Sequence, residues 1–126
     1  MSQLQKERQG IVNALVGALE KHDHVPERFV PPAAFIMPGD PYIERADSEG
    51  FARVKVAFDV WIALREGDAK VITAALDSEI ETQIDALTTA GYVIESVGQP
   101  FIWQRQNGNY PAVVVTVTTI IQLETA

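Results

Sequence analysis

The sequence predicts an α+β fold: a mostly antiparallel sheet of about four to five strands with two main helices, one of them packed across the sheet. Three observations predict it. Between Arg53 and Leu64, the side chains Val54, Val56, Phe58, Val60, Ile62 and Leu64 alternate with Arg53, Lys55, Ala57, Asp59, Trp61 and Ala63. A period of two over this length describes a strand with one greasy and one mixed face. Asn107-Gly108 stands between two extended runs, the hairpin signal that returns the closing run, Ala112 to Leu123, as an antiparallel strand beside Arg53–Leu64. Ile72, Leu76, Ile80, Ile84 and Leu87 recur at helical spacing between Asp68 and Gly91, which gives a helix able to lay an apolar stripe on the greasy face.

Taken in order, the chain opens with an amphipathic helix between Ser2 and Lys21, its stripe made by Leu4, Ile11, Val12, Leu15, Val16 and Leu19. Gly10 and Gly17 lie inside it, each costing about 1 kcal/mol against alanine. They mark either a close approach to another backbone or positions where glycine is merely tolerated. From His22 to Gly50 the periodicity breaks at Pro26, Pro31, Pro32, Pro38 and Pro41, because proline removes a backbone donor and fixes φ. Within this stretch Ala34–Met37 is expected as a short edge strand, Pro38-Gly39-Asp40-Pro41 as the turn that ends it, and Tyr42–Glu44 as a second extended piece.

Residues 1–126 read as a single domain whose Pro-rich loop, at about 23–50, is functional, since connections this long inside a domain are usually functional or disordered. Phe29, Val30, Phe35, Ile36, Met37, Tyr42 and Ile43 are too many hydrophobes for a tether. They are expected to dock on this subunit or on a neighbour.

After the central strand, Asp68 is the expected N-cap of a helix reaching about Ala90, with Gly91 as its left-handed C-cap. Asp77, Glu79, Glu81 and Asp85 fall mostly off its buried stripe. Tyr92–Val97 reads as a strand, Gly98-Gln99-Pro100 as a bulge or bend, and Phe101–Arg105 as its continuation. With the second helix on the greasy face, the other face needs cover from the first helix or from another subunit. Trp61 lies on that second face, either as ordinary packing or as an interface anchor.

The chain of 126 residues contains no cysteine, which excludes disulfides, thiolate metal sites and a cysteine nucleophile. Its 17 acidic against 10 basic side chains, net charge -7, argue against a nonspecific phosphate-binding surface. No apolar stretch approaches the roughly 20 residues that span a bilayer, so neither an export signal nor a membrane span is expected.

Candidates for chemistry are few. His22-Asp23-His24 offers two imidazoles and a carboxylate but no third partner at a recognised metal-binding spacing, and reads as polar residues closing a helix. Asp40, Glu44, Asp47 and Glu49 read as solvated loop charges rather than a general acid and base. A glycine-rich phosphate loop, a nucleophile elbow and a zinc-type histidine pair are all missing from the sequence. The expectation is a protein that is not an enzyme, with no catalytic, cofactor-binding or metal-binding residues.

The order of elements, an amphipathic helix, a Pro-rich stretch with Pro32-Ala33-Ala34-Phe35-Ile36-Met37-Pro38-Gly39-Asp40-Pro41-Tyr42, a long strand, an acidic helix ending in Ala90-Gly91-Tyr92, a bent strand, an Asn-Gly-Asn-Tyr-Pro hairpin and a long final strand, resembles the small tail terminator proteins of long-tailed bacteriophages. More broadly it is similar to the head-to-tail completion proteins of the same particles. The resemblance implies a structural role: a ring, usually of six copies, that caps the tail tube, stops its polymerisation and joins it to the head connector or stopper protein, with DNA only passing through the lumen. It implies no cofactor, no membrane, assembly in the host cytoplasm and a place in the tail or neck of the virion. On that expectation Phe35, Ile36, Met37, Tyr42, Ile43 and Trp61 mediate contacts between subunits or with a partner. A connector or stopper protein of the neck, and a small-molecule-binding α+β domain, are the alternatives.

Overall fold

The computed structural model describes residues 2–46, 53–106 and 108–122. Asp47, Glu49, Asn107 and Leu123, on which expectations about the loop acids, the hairpin and the end of the last strand rest, lie outside the described residues. The elements run α1 (Gln3–Ala14), β1 (Glu20–His22), β2 (Ala33–Arg45), β3 (Arg53–Ala63), α2 (Ala69–Thr89), β4 (Val93–Val97), β5 (Phe101–Arg105) and β6 (Gly108–Gln122). The α+β class and the two helices match expectation. Among the described residues the sheet is larger than expected, with six strands, and mixed, because β1 pairs with β2 in parallel.

The strand order is β1-β2-β3-β6-β4, with β5 also pairing to β6. β3 and β6 hold one antiparallel register from Arg53↔Gln122 to Ala63↔Ala112, the pairing that the alternation predicts. β4 pairs with the middle of β6, from Val93↔Thr118 to Val97↔Val115, and β5 with its beginning, from Phe101↔Ala112 to Arg105↔Gly108. Gly98-Gln99-Pro100 is thus a bend within one edge, and the Gly98 N–H still reaches the Val114 carbonyl at 2.9 Å.

α1 starts with a capping box: the Gln5 N–H donates to Ser2 Oγ and the Ser2 N–H donates to Gln5 Oε1. It ends at Ala14, not near Lys21. Leu15 turns to extended backbone, ψ 143, and Gly17 takes φ 91, a left-handed value that glycine adopts without steric cost. The helical spacing ran on because Leu15 and Leu19 are both buried although the backbone has left the helix. The segment is held by Gln83 of α2, fully buried, whose Oε1 accepts from the Val16 N–H at 3.0 Å and whose Nε2 donates to the Val16 carbonyl at 2.7 Å.

α2 follows expectation, with Asp68 accepting from the Lys70 N–H and Gly91 at φ 99. Both helices pack on the same sheet face. Ile11 and Leu15 join Leu76 and Leu87 over Val54, Val56, Phe58, Val60, Ile62, Val113, Val115 and Val117. Each such side chain removed from water contributes roughly 1.5–3 kcal/mol. Neither helix's buried residues join the cluster on the opposite face.

β2 corrects the expected strand, turn and second extended piece. It is one strand from Ala33 to Arg45, with a register shift between Pro38 and Ile43. Pro38↔Phe58 and Ile43↔Val56 place the intervening residues of β2 in a bulge, which absorbs the prolines without ending the strand. Gly39 is required there, since a Cβ would lie 2.7 Å from Ala57 Cβ and 2.9 Å from the Ala57 carbonyl oxygen.

Candidate functional site

Register fixes which side chains share the face away from the helices, because directly opposed residues in antiparallel strands point the same way. Its rows are Ala33–Ala63–Ala112, Phe35–Trp61–Val114, Met37–Asp59–Thr116, Ala57–Thr118, Glu44–Lys55–Ile120 and Arg53–Gln122. The face therefore runs from aromatic at one end to polar at the other.

At the aromatic end, β5 adds Phe101 and Trp103, and the segment before β2 folds Val25 and Phe29 onto the cluster. Trp61 meets Phe101 and Trp103 edge-on at 5.5 and 5.2 Å between ring centroids, while Phe29 stacks on Trp103 at 5.8 Å and meets Phe35 edge-on at 4.7 Å. Arg105 lies over both Trp103 (4.8 Å) and Phe29 (5.3 Å) and donates to the carbonyls of Pro26 and Glu27. This clip secures residues 25–29 through packing, cation–π attraction and hydrogen bonds together.

At the polar end, Thr116 Oγ1 donates to Asp59 at 2.9 Å and Lys55 pairs with Glu95 at 3.3 Å across β6. Ile120 and Val93, 56% and 61% exposed, stand beside these polar pairs. No described helix covers this half of the face.

The six expected contact residues do not form one surface. Phe35 and Ile36 are buried within the chain, on opposite faces of β2. Met37 and Trp61 are half-buried on the helix-free face. Tyr42 and Ile43 pack against the helix-side core, where the Tyr42 hydroxyl accepts from Arg8 Nη2 at 3.1 Å and its ring meets Phe58 edge-on. Met37 and Trp61 thus keep part of their surface accessible on the helix-free face, Trp61 against Phe101 and Trp103, while Phe35 and Ile36 are enclosed within the chain.

The histidines pair separately. His22 Nε2 lies 2.7 Å from Glu20 Oε1 and His24 Nδ1 lies 2.7 Å from Asp23 Oδ1. Among the described residues no group of three His, Asp or Glu side chains is arranged to hold a metal ion. The Glu20 carboxyl is held below its ordinary value, first by the Val30 N–H at 2.9 Å and then by His22; Asp23 is lowered chiefly by His24. Asp40 and Glu44 are exposed.

What the sequence did not announce is a set of exposed aliphatics at the two sides of the sheet. Val97 and Ile102 lie on the β4–β5 edge, and Val30 lies beside β1. Ile102 borders an apolar notch of about 330 Å³ between the start of α2 and β5, lined by Ile72, Leu76, Pro100 and Pro111 among others. Their spacing carries no signal of exposure, since an isolated valine in a Pro-rich stretch reads the same whether it is buried or bare.

No protein-family model matches the sequence, and no curated protein matches it either. Among the described residues no helix is long and apolar enough to cross a membrane.

Proposed function

We infer that this chain is a structural phage protein, a tail terminator whose copies close into a ring, usually of six, that caps the tail tube, halts its growth and meets the head connector or stopper. The observation that carries this reading is surface left uncovered: a sheet face without helices, half of it also lacking the cover that residues 25–29 give the aromatic end, and apolar side chains exposed along both sides of the sheet. Exposed aliphatics such as Val93, Ile120, Val97, Ile102 and Val30 are side chains an assembly interface would cover, and a protein that works only when assembled has reason to keep them. The resemblance in element order supplies the particular assembly. DNA passes through the lumen without being gripped, consistent with the net charge of -7. The working place is the virion neck or tail, after assembly in the host cytoplasm, with no enzymatic step.

The test is assembly in vitro with tail-tube subunits. Tubes of fixed length bearing a ring at one end in the presence of this protein, and tubes of uncontrolled length without it, are expected. A chain that stays monomeric when tube protein is present sinks the reading. A ring that ignores tube ends but binds the connector assigns it instead to the neighbouring stopper position of the neck.

A further inference from the structure

We propose that successive copies of this chain join head to tail through one contact: Val30 of one copy seats in the apolar notch between the start of α2 and β5 of the next. This deepens the ring reading and rests on it.

Val30 has the character of an interface anchor. It is 60% exposed, yet its backbone is tied on all sides. Phe29 before it is buried in the aromatic cluster, and the Val30 N–H is held by Glu20. The carbonyl of Pro31 accepts from Arg65 Nε at 3.1 Å, and that of Pro32 accepts from the Glu20 N–H at 3.0 Å. An exposed hydrophobe on a rigid support has already lost the freedom that binding would otherwise cost. A loop tip with no task at its surface has no need of such fastening.

The notch is the matching hollow. Ile72, Leu76, Pro100, Ile102 and Pro111 make its walls apolar, and Ile102, at its rim, is 56% exposed. At about 330 Å³ it is far larger than the share of one water molecule, about 30 Å³. An aliphatic side chain with an adjoining proline ring fits that space and that chemistry.

Geometry assigns the occupant to another copy. Val30 sits beside β1 and the notch beside β5, at opposite edges of the β1-β2-β3-β6-β5 order. Four strand spacings of about 4.8 Å separate them by roughly 19 Å, so no chain fills its own notch. Each copy carries one knob and one hollow, which makes the contact heterologous, and heterologous contacts close into rings or run on as filaments.

Charge favours the same arrangement. Residues 1–65, which build β1, β2 and β3, carry eight basic and nine acidic side chains; residues 66–126, which build α2, β4, β5 and β6, carry two and eight. Joining two notch edges brings the strongly acidic halves together, whereas joining notch to knob sets an acidic half against a nearly neutral one.

The experiment uses the full chain and two variants, Val30→Asp and Ile102→Asp, each at a site exposed enough to keep the fold, as circular dichroism would verify. Ile102→Ser stands in if Ile102→Asp misfolds. Native mass spectrometry is expected to give wild-type rings and two monomeric variants, with the apparent dissociation constant raised at least about thirtyfold, the scale of an interface hot spot. Mixing the variants decides the geometry. The Val30→Asp copy keeps an intact notch and the Ile102→Asp copy an intact knob, so the mixture forms a one-to-one heterodimer and nothing larger.

Wild-type rings with both variants assembling normally would overturn the knob and notch while leaving the ring reading standing. Variants that form rings but fail to cap tubes would hand the notch to the tube protein and overturn the proposal. So would a variant mixture that stays monomeric beside an assembling wild type. A wild type that stays monomeric even with tube protein present overturns the ring reading itself, and this contact with it.

Discussion

Gly10 and Tyr92 make a paired prediction whose size follows from two distances. A Cβ built on Gly10 lies 2.6 Å from the Tyr92 hydroxyl oxygen but 4.0 Å from the ring carbon that bears it. Gly10→Ala therefore collides with a single atom. Within a helix, alanine is favoured over glycine by about 1 kcal/mol. Against that, displacing a packed ring costs about 1–3 kcal/mol. The single variant should range from neutral to about 2 kcal/mol less stable, by difference. In a Tyr92→Phe background the colliding atom is gone and the ring carbon Cζ, at 4.0 Å, is at ordinary contact distance, so the same Gly10→Ala change should stabilise by about 1 kcal/mol. The coupling between the two sites is then about 1–3 kcal/mol. Urea unfolding of the wild type, both single variants and the double variant, all at one protomer concentration because assembly shifts apparent stability, measures it directly. Equal effects of Gly10→Ala in the two backgrounds, within about 0.5 kcal/mol, would refute the reasoning.

Three further outcomes are expected. Gly39→Ala should destabilise by at least about 1–3 kcal/mol, because the added Cβ meets the backbone of Ala57 at 2.9 Å and β3 cannot move aside; an unchanged urea midpoint would count against the close packing at the β2 bulge. Gln83→Leu removes two hydrogen bonds to the Val16 backbone, a loss of roughly 1–3 kcal/mol at about 0.5–1.5 kcal/mol each, and should speed proteolysis within residues 15–19. The Glu20 carboxyl is lowered from 4.5 by the Val30 N–H and then His22, so its stabilising effect is present above that ordinary value and lost as pH falls through the lowered folded one. Glu20→Gln should accordingly flatten the acid limb of the stability profile, and identical wild-type and variant slopes between pH ~5 and ~3 would contradict the assignment.

What was legible in the sequence was what local chemistry dictates. β3 could be read because Val54 to Ile62 alternate against Lys55, Asp59 and Trp61, a contrast that survives without any neighbour. The Asp68 cap and the Gly91 stop are likewise local, and both ends of α2 were found. β1 was missed because Glu20-Lys21-His22 are three half-exposed polar residues with no period to detect; only parallel pairing with β2 makes them a strand. α1 was overrun because Leu15 and Leu19 keep helical spacing while being buried by a bend.

The candidate site was harder for a related reason. Phe35 and Ile36 looked like spare hydrophobes because proline on both sides made their surroundings read as loop. Once β2 lies between β1 and β3, both are core. Conversely, the exposure of Val30 and Ile102 is created by tertiary placement, the one lifted on a tied corner and the other set at the lip between a helix and an edge strand. Pattern alone carries neither fact.

The pairing of β6 has a consequence for how the fold is made. It is the last element in chain order, yet β3, β4 and β5 all hydrogen-bond to it, and the described contacts of β4 and β5 with the sheet run through it. Until β6 docks, β3 lacks one neighbour and the bent edge strand has none, so no stable half-sheet exists on that side. Bringing β6 to β3 also closes a loop that contains all of α2, and that closure entropy is spent before the long ladder can repay it. Folding should thus be concerted and comparatively slow, with the apolar row of β3 open to other chains in the interval. In that interval Lys55 and Asp59, on β3's other face, are charges that any strand arriving in place of β6 must accommodate.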